Sequence, residues 1–299
     1  MEMELPILTE ENYYDDVFYM SNSRFKEYMA CPLRQQAIDL GFWKGKKSTD
    51  ALLLGNYVHS YFESEEAHAR FLEENGSELI STRGATKGQL KTSFKIADTM
   101  IKTLEKDELF NAIYHGSEDD VVVKEAILTG MLAGIPFKAK VDSLNISKGY
   151  FVDLKTMESI RKETYSPTLK TYTKQAIYNI VEYSYHMQMY VYKQLLEQQY
   201  GYEFTPYIVA VSKEGVPDKE ILAMTEDILA VGREQFEAHS EIVRDVFLNY
   251  ATPKGCGHCD FLLNSQEIRT CDHARRTTRK LKLKPIGRIG RRKKDYEQY

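Results

Sequence analysis

The chain has 299 residues, 42% hydrophobic and 28% charged, with 17 Gly and 8 Pro, a composition that excludes a low-complexity or fibrous protein. Its length suffices to bury a real core in one large domain or two small ones. No apolar run approaches the roughly 20 residues of a membrane span, and the acidic opening "MEMELPILTE" lacks the basic-then-apolar order of a secretory signal, so a cytoplasmic protein with no membrane contact is expected.

Helical spacing opens the order of elements. In "SNSRFKEYMACPLRQQAIDL" (21–40), Ser caps precede Phe25, Tyr28 and Met29, and Cys31-Pro32 interrupts the helix. A second helix follows Thr49 and closes at Gly76; residues 77–86 read as a polar turn, and helical patterns resume over 87–114. The period then shortens to two. "VVVKEAILTG" (121–130) is a strand, Gly130 and Gly134 mark a turn, "IPFKAKVDSLNIS" is a second strand with Asp142 expected at its end, and "SKG" (147–149) turns into a third, "YFVDLKT" (150–156). A long helix over 170–200, a strand over 204–213 and a helix near 224–248 follow. This order predicts an α/β fold with a central mixed sheet flanked by helices. Three parts are expected: a main domain over 1–250, a Cys-bearing segment over 251–274 and a basic tail over 275–299.

The tail holds eleven Lys/Arg against Asp295 and Glu297, which leaves 29 basic and 42 acidic residues in the body. An acidic body with a basic tail suits a protein that carries carboxylates for metal and approaches a polyanion, although a solubilising tail has the same composition.

Asp153 and Lys155 lie two apart on a strand and so share a face. The hairpin turn at 147–149 brings Asp142 back beside Asp153. Two adjacent carboxylates repel unless a cation lies between them or one is protonated. Hard carboxylate oxygens suit Mg²⁺ or Mn²⁺, and a lysine beside such an ion can orient or activate a water. A buried ion pair at a strand end explains the same two residues more cheaply. Gly55-x-x-x-His59 puts a small residue and an imidazole on one helix face, Glu125 lies on the first strand, and Gln188 and Tyr192 share a face four residues apart.

In that order, G-x-x-x-H, Glu, "GIPFKAKVD", "VDLKT" and Q-x-x-x-Y over residues 21–213 resemble the PD-(D/E)XK nucleases. Within them the likeness is to the RecB/RecE-type branch, including phage exodeoxyribonuclease VIII-like proteins. Val141 stands where the family name has its proline. The resemblance implies a restriction-endonuclease-like core in which His59, Asp142, Asp153 and the Leu154 carbonyl ligate Mg²⁺ or Mn²⁺. Lys155 is then the catalytic lysine, Glu125 a further catalytic acid, and Gln188 and Tyr192 contact DNA or brace the site. It further implies a DNA exonuclease of phage or bacterial recombination and repair, working in the bacterial or host cytosol, with DNA and a single-strand annealing protein as partners and oligomerisation left open. The alternative is a non-catalytic DNA-binding accessory protein that keeps the fold.

Cys256-x-x-Cys259 has the spacing of a Zn²⁺ or iron site, with Cys271 behind it and Cys31 far upstream. One cysteine before the nuclease motifs and three after resemble the iron–sulfur staple of AddB-type nucleases, which implies a [4Fe-4S] cluster. His258 and His273 keep Zn²⁺ open.

Overall fold

Side-chain oxygens and one proline set most helix starts in the N-terminal half. In the computed structural model, which describes residues 5–45 and 49–265, the Ser21 hydroxyl accepts from the Arg24 amide to open α1 (Asn22–Ala30), after a short strand β1 (Met20–Ser21). Pro32, whose missing N–H costs nothing in a first turn, opens α2 (Pro32–Asp39). Thr49 caps α3 (Asp50–Glu63), Ser64 both ends α3 and caps α4 (Glu65–Leu79), and Asp107 separates α5 (Thr92–Glu105) from α6 (Glu108–Tyr114). The single helix expected after Thr49 is therefore two, because the Ser64 hydroxyl takes the Ala67 amide, and Gly76 lies inside α4. The helical stretch at 87–114 divides likewise at its Asp cap.

The strands are β2 (Val122–Leu132), β3 (Ile135–Asn145), β4 (Tyr150–Met157), β5 (Glu163–Ser166), β6 (Thr171–Lys174), β7 (Thr205–Ser212) and β8 (Lys219–Ala223). Helices α7 (Gln175–Glu182), α8 (Tyr185–Tyr200) and α9 (Glu226–Phe247) complete the first unit, Met1–Cys256. The long helix expected over 170–200 is thus a strand and two helices, broken where Ser184 takes a left-handed φ of 53°. Strand β3 runs on past Asp142 to Asn145. The second unit, Gly257–Tyr299, contributes α10 (Asp260–Ser265) to the described residues; Cys271, His273 and the basic tail lie outside them. No helix among the described residues is long and apolar enough to cross a membrane.

Six strands form one sheet in the order β1-β3-β4-β7-β8, with β2 paired along the far edge of β3. β1–β3 and β4–β7 are parallel and the other pairs antiparallel, so the sheet is mixed. Helices cover both faces. Phe151, Met157, Ile208 and Ala210 pack with α8 and α9, while Val152, Leu154, Val209 and Val211 pack with α3, α5 and α6. A strand buried on both faces reads as a continuous apolar run, and only Asp153 interrupts "FVDL" within β4.

The α8–α9 contact depends on one glycine. A Cβ at Gly232 would lie 2.4 Å from the His186 carbonyl oxygen, which is backbone and cannot swing away. Gly232→Ala is expected to lower stability by about 1–3 kcal/mol through overpacking, read as a fall of several degrees in thermal melting. An unchanged melting temperature would show that the two helices separate freely. Gly55 is different: a Cβ there would meet Thr156 Oγ1 at an ordinary 3.7 Å, so the approach of α3 to β4 does not require glycine at that position.

Candidate active site

The ladder between β3 and β4 stops at Ser143–Val152, and β1 takes the same edge of β3 only at Phe137 and Lys138. Between those stretches the two strands part. The Leu154 amide, which would have continued the ladder, donates instead to Asp142 Oδ2 at 2.6 Å. An extended residue points its N–H and C=O to the same edge, so the Leu154 carbonyl faces the opening as well.

On the other edge of β3, Glu125 stands opposite Asp142, and regular pairing with β2 holds on either side of them but not between them. Glu125 adopts φ +49°, a region that a residue with a Cβ rarely enters. The strand changes face there: Lys124 reaches Ser143 Oγ at 2.9 Å, whereas Ala126, two residues on, packs in the core with Val141. Strain of this kind persists where surrounding structure holds it, often at functional sites. The result is a convergence of three side chains from α3, β2 and β3. Donor atoms of His59, Glu125 and Asp142 all lie within 4.8 Å of one another, and His59 Nδ1 is 3.3 Å from Asp142 Oδ1. The Glu125 side chain is largely withdrawn from solvent, 11% exposed.

Asp153 stands beside this trio and is held otherwise. Lys155 Nζ is 2.6 Å from its Oδ2, and Gln188 Nε2 donates to its Oδ1 at 2.9 Å and to the Tyr192 hydroxyl at 3.1 Å. Asp153 and Lys155 thus form the ion pair that strand geometry allows, next to the candidate metal site. Three contributors are not singled out by the sequence motifs. Lys140 Nζ bridges Glu125 at 3.1 Å and Glu10 at 2.9 Å; "KAKVD" puts Lys138, Lys140 and Asp142 on one face by period two, a signal present in the sequence. Lys155 Nζ lies 5.0 Å from the centre of the Tyr185 ring, and Lys26 lines the same cleft. Nothing local in the sequence announces those two.

Burial works to raise the Asp142 carboxyl, but the His59 imidazole, Lys155 and the Leu154 N–H together hold it below the usual range. Burial works to lower His59, and Asp142 overrides it, lifting the imidazole to about 9. Burial, reinforced by the Asp142 charge, pushes Glu125 up to about 7 against Lys140. Burial likewise raises Asp153 despite Lys155. Lys155 itself is raised, because the Asp153 carboxylate outweighs its burial, so it stays protonated. Two carboxylates crowded beside an imidazole, one of them pushed toward its neutral form, are the electrostatics of a site that accepts a cation. Hard oxygens with one imidazole fit Mg²⁺ or Mn²⁺.

These residues open onto a cleft of about 1070 Å³, whose walls include Lys26, Arg70, Lys140 and Lys155. Cys31 and Cys256 lie elsewhere in the first unit. The Cys256 amide donates to Cys31 Sγ at 3.4 Å, and the Leu33 amide donates to the Lys254 carbonyl at 3.3 Å, seating the 251–256 segment on the α1–α2 junction. Cys259 belongs to the second unit.

A family model described as a PDDEXK-like domain of unknown function matches residues 21–265. Among solved structures, a "Putative exonuclease" from Eubacterium rectale is 29% identical, with a TM-score of 0.76 over 89% of this chain and 96% of that one. The crystal structure of SSO0001 aligns over 82% of this chain and 91% of its own at 12% identity, with a TM-score of only 0.25. No curated protein matches the chain.

Proposed function

The chain belongs to the PDDEXK-like family, and from that premise we propose that it is a metal-dependent deoxyribonuclease that hydrolyses phosphodiester bonds, acting as an exonuclease at DNA ends. The observation that carries the reading is the convergence of His59, Glu125 and Asp142 beside the Asp153–Lys155 pair. The name of the Eubacterium rectale neighbour supports the exonuclease part. A role in phage or bacterial recombination belongs to the same proposal.

His59, Glu125, Asp142 and the Leu154 carbonyl would hold a divalent ion, with Asp153 adjacent. When bound, such an ion supplies a polarised phosphoryl oxygen and a more acidic water. To offer its lone pair, His59 gives up the proton that Asp142 stabilises, so binding releases a proton. Lys140 offsets the charge of Glu125 and fixes its carboxylate. Lys155 keeps its proton at Nζ and so acts as a positive hydrogen-bond donor, orienting water or balancing charge that develops on phosphorus, and not as the base. Gln188, seated on Tyr192, holds Asp153 in the orientation that aims Lys155. Around them the cleft's cations offset the phosphates, and their salt-dependent attraction carries no sequence preference.

The test is end-labelled linear DNA and closed circular DNA incubated with Mg²⁺, Mn²⁺ or chelator. Linear DNA is expected to be degraded with either metal and spared with chelator, while the circle survives. Cleavage of the circle would replace the exonuclease reading with an endonuclease one. No metal-dependent cleavage of either substrate would end the nuclease reading. The proposal includes a second metal centre, iron–sulfur or zinc, to which Cys31 and Cys256 would each bring a thiolate; metal and sulfide analysis of anaerobically purified protein distinguishes the two.

A further inference from the structure

Many of the 21 tyrosines pack in the core, but a group on the β5–β6 hairpin and at the α7–α8 break stays at the surface. Tyr165, Tyr172 and Tyr183 are 48%, 69% and 49% exposed. Tyr165 and Tyr172 are cross-strand partners in the β5–β6 hairpin, with ring centres 5.5 Å apart and edge to face. Tyr183, at the α7–α8 break, lies 6.0 Å from both Tyr178 and Tyr185. Tyr185 lines the cleft next to Lys155.

Hydrogen bonds join these parts. The Glu182 carboxylate accepts from the Ser166 hydroxyl and from the Thr168 amide and hydroxyl, which ties the hairpin turn to the end of α7. The next residue is Tyr183, whose carbonyl accepts from Lys26 Nζ at 3.0 Å. A two-stranded hairpin contributes little core of its own, and this one follows directly on the strand that bears Asp153 and Lys155. Lys170, in the hairpin turn, and Lys174, at its far end, are both exposed.

We propose that the β5–β6 hairpin and the tyrosines of the α7–α8 break form a track for the unpaired strand of a DNA end, leading it to or from the cleft. The inference rests on the nuclease reading and names the substrate form that the site takes. Only unpaired bases offer their faces for stacking, and each ring–base stack is sequence-tolerant. A duplex would present phosphates, which call for lysines and not for three exposed rings. Lys26, Lys170 and Lys174 supply the charge for the backbone of the same strand. A protein partner is the competing occupant, and it would leave DNA affinity indifferent to these rings.

The experiment measures fluorescence anisotropy with a blunt duplex and with the same duplex carrying a 5′ or 3′ single-stranded tail, in Ca²⁺ to hold off cleavage. The proteins are wild type, a Tyr172→Ala/Tyr183→Ala double variant and the matching Tyr→Phe pair. Wild type is expected to prefer a tailed duplex. The alanine pair should bind that duplex roughly tenfold or more weakly per ring lost, with blunt-duplex affinity little changed, while the phenylalanine pair keeps the preference. Equal affinity of the alanine pair and wild type for tailed DNA, or an equal loss on blunt and tailed DNA, would overturn the track. If wild type cleaves linear DNA while that result is obtained, only the track falls; if wild type neither binds nor cleaves any DNA, the nuclease reading falls with it.

Discussion

Asp142→Asn is expected to remove the thermal stabilisation that Mn²⁺ gives the wild type and to reduce DNA cleavage by more than the roughly 10–100-fold that loss of a mere supporting partner costs at a metal site. Asparagine is the informative substitute because its carbonyl can still accept from the Leu154 amide, so the parting of β3 and β4 survives while the charge is lost. At about 100 times its dissociation constant a ligand adds about 2.7 kcal/mol to stability, and most of that gain should vanish in the variant. The sign with pH follows from the proton affinities. His59, lifted from 6.5 to about 9, and Glu125, lifted from 4.5 to about 7, both hold protons more tightly in the folded chain. Their contribution to the metal-free protein is whole below the ordinary values and is lost as pH rises through 7 and then 9. Asp142, held low, has the opposite sign and acts only in the acid range. The part of metal-free stability that these two groups supply should therefore decline from about pH 6 to 9, while Lys26 and Lys124, lowered by burial to about 8 and about 7, act with the opposite sign over the upper part of that range. The Mn²⁺-induced shift should grow over the same window as the ion competes with fewer protons. In Asp142→Asn the group that raises His59 is gone, so the upper part of that slope flattens. A variant with the full Mn²⁺ shift would remove Asp142 from the metal site.

Residues that share a strand face or a tight hairpin were readable in advance, and residues joined by a change of face were not. Asp153 and Lys155 alternate on one strand, the 147–149 turn returns Asp142 toward them, and Gln188 and Tyr192 meet by helical spacing; each relation is local and periodic. Glu125 is the contrary case. Period two assigns Lys124 and Ala126 to one face, yet the left-handed backbone at Glu125 sends them to opposite faces, and no glycine marks the spot. The metal-competent trio therefore includes Glu125, while Asp153, expected as a ligand, is engaged by Lys155 and Gln188. Helix breaks at Ser64 and Ser184 were hidden because serine is tolerated inside helices; Ser64 caps α4 with its hydroxyl, whereas Ser184 makes no capping bond and breaks the helix through its left-handed backbone. The β5–β6 hairpin was hidden because "ETYS" and "TYTK" have no apolar face to alternate. Lys26 and Tyr185 come to the site from separate helices, and only tertiary packing brings them there.

Lys155→Met is expected to lower the cleavage rate by about 10²–10³-fold, the size of effect seen when one preorganised transition-state donor is removed, while leaving the Mn²⁺-induced thermal shift in place. The two halves of that outcome separate this residue from Asp142. Lys155 is not among the donor atoms that converge, and its protonated Nζ would repel a cation, so its loss should not weaken metal binding. Its charge matters once negative charge builds on phosphorus. Removing it leaves Asp153 buried without its ammonium partner, a change that costs stability when the carboxylate stays ionised. Burial already raises the Asp153 pKa, and without Lys155 the carboxyl can take a proton and spare the fold most of that cost. The variant is therefore expected to fold, checked by circular dichroism and by its response to Mn²⁺. Lys155→Arg should not restore the rate, because a planar guanidinium cannot occupy the slot between Asp153 and the Tyr185 ring as a compact ammonium does. Cleavage by Lys155→Met within tenfold of wild type would reduce the Asp153–Lys155 pair to a structural ion pair and leave the site without its donor.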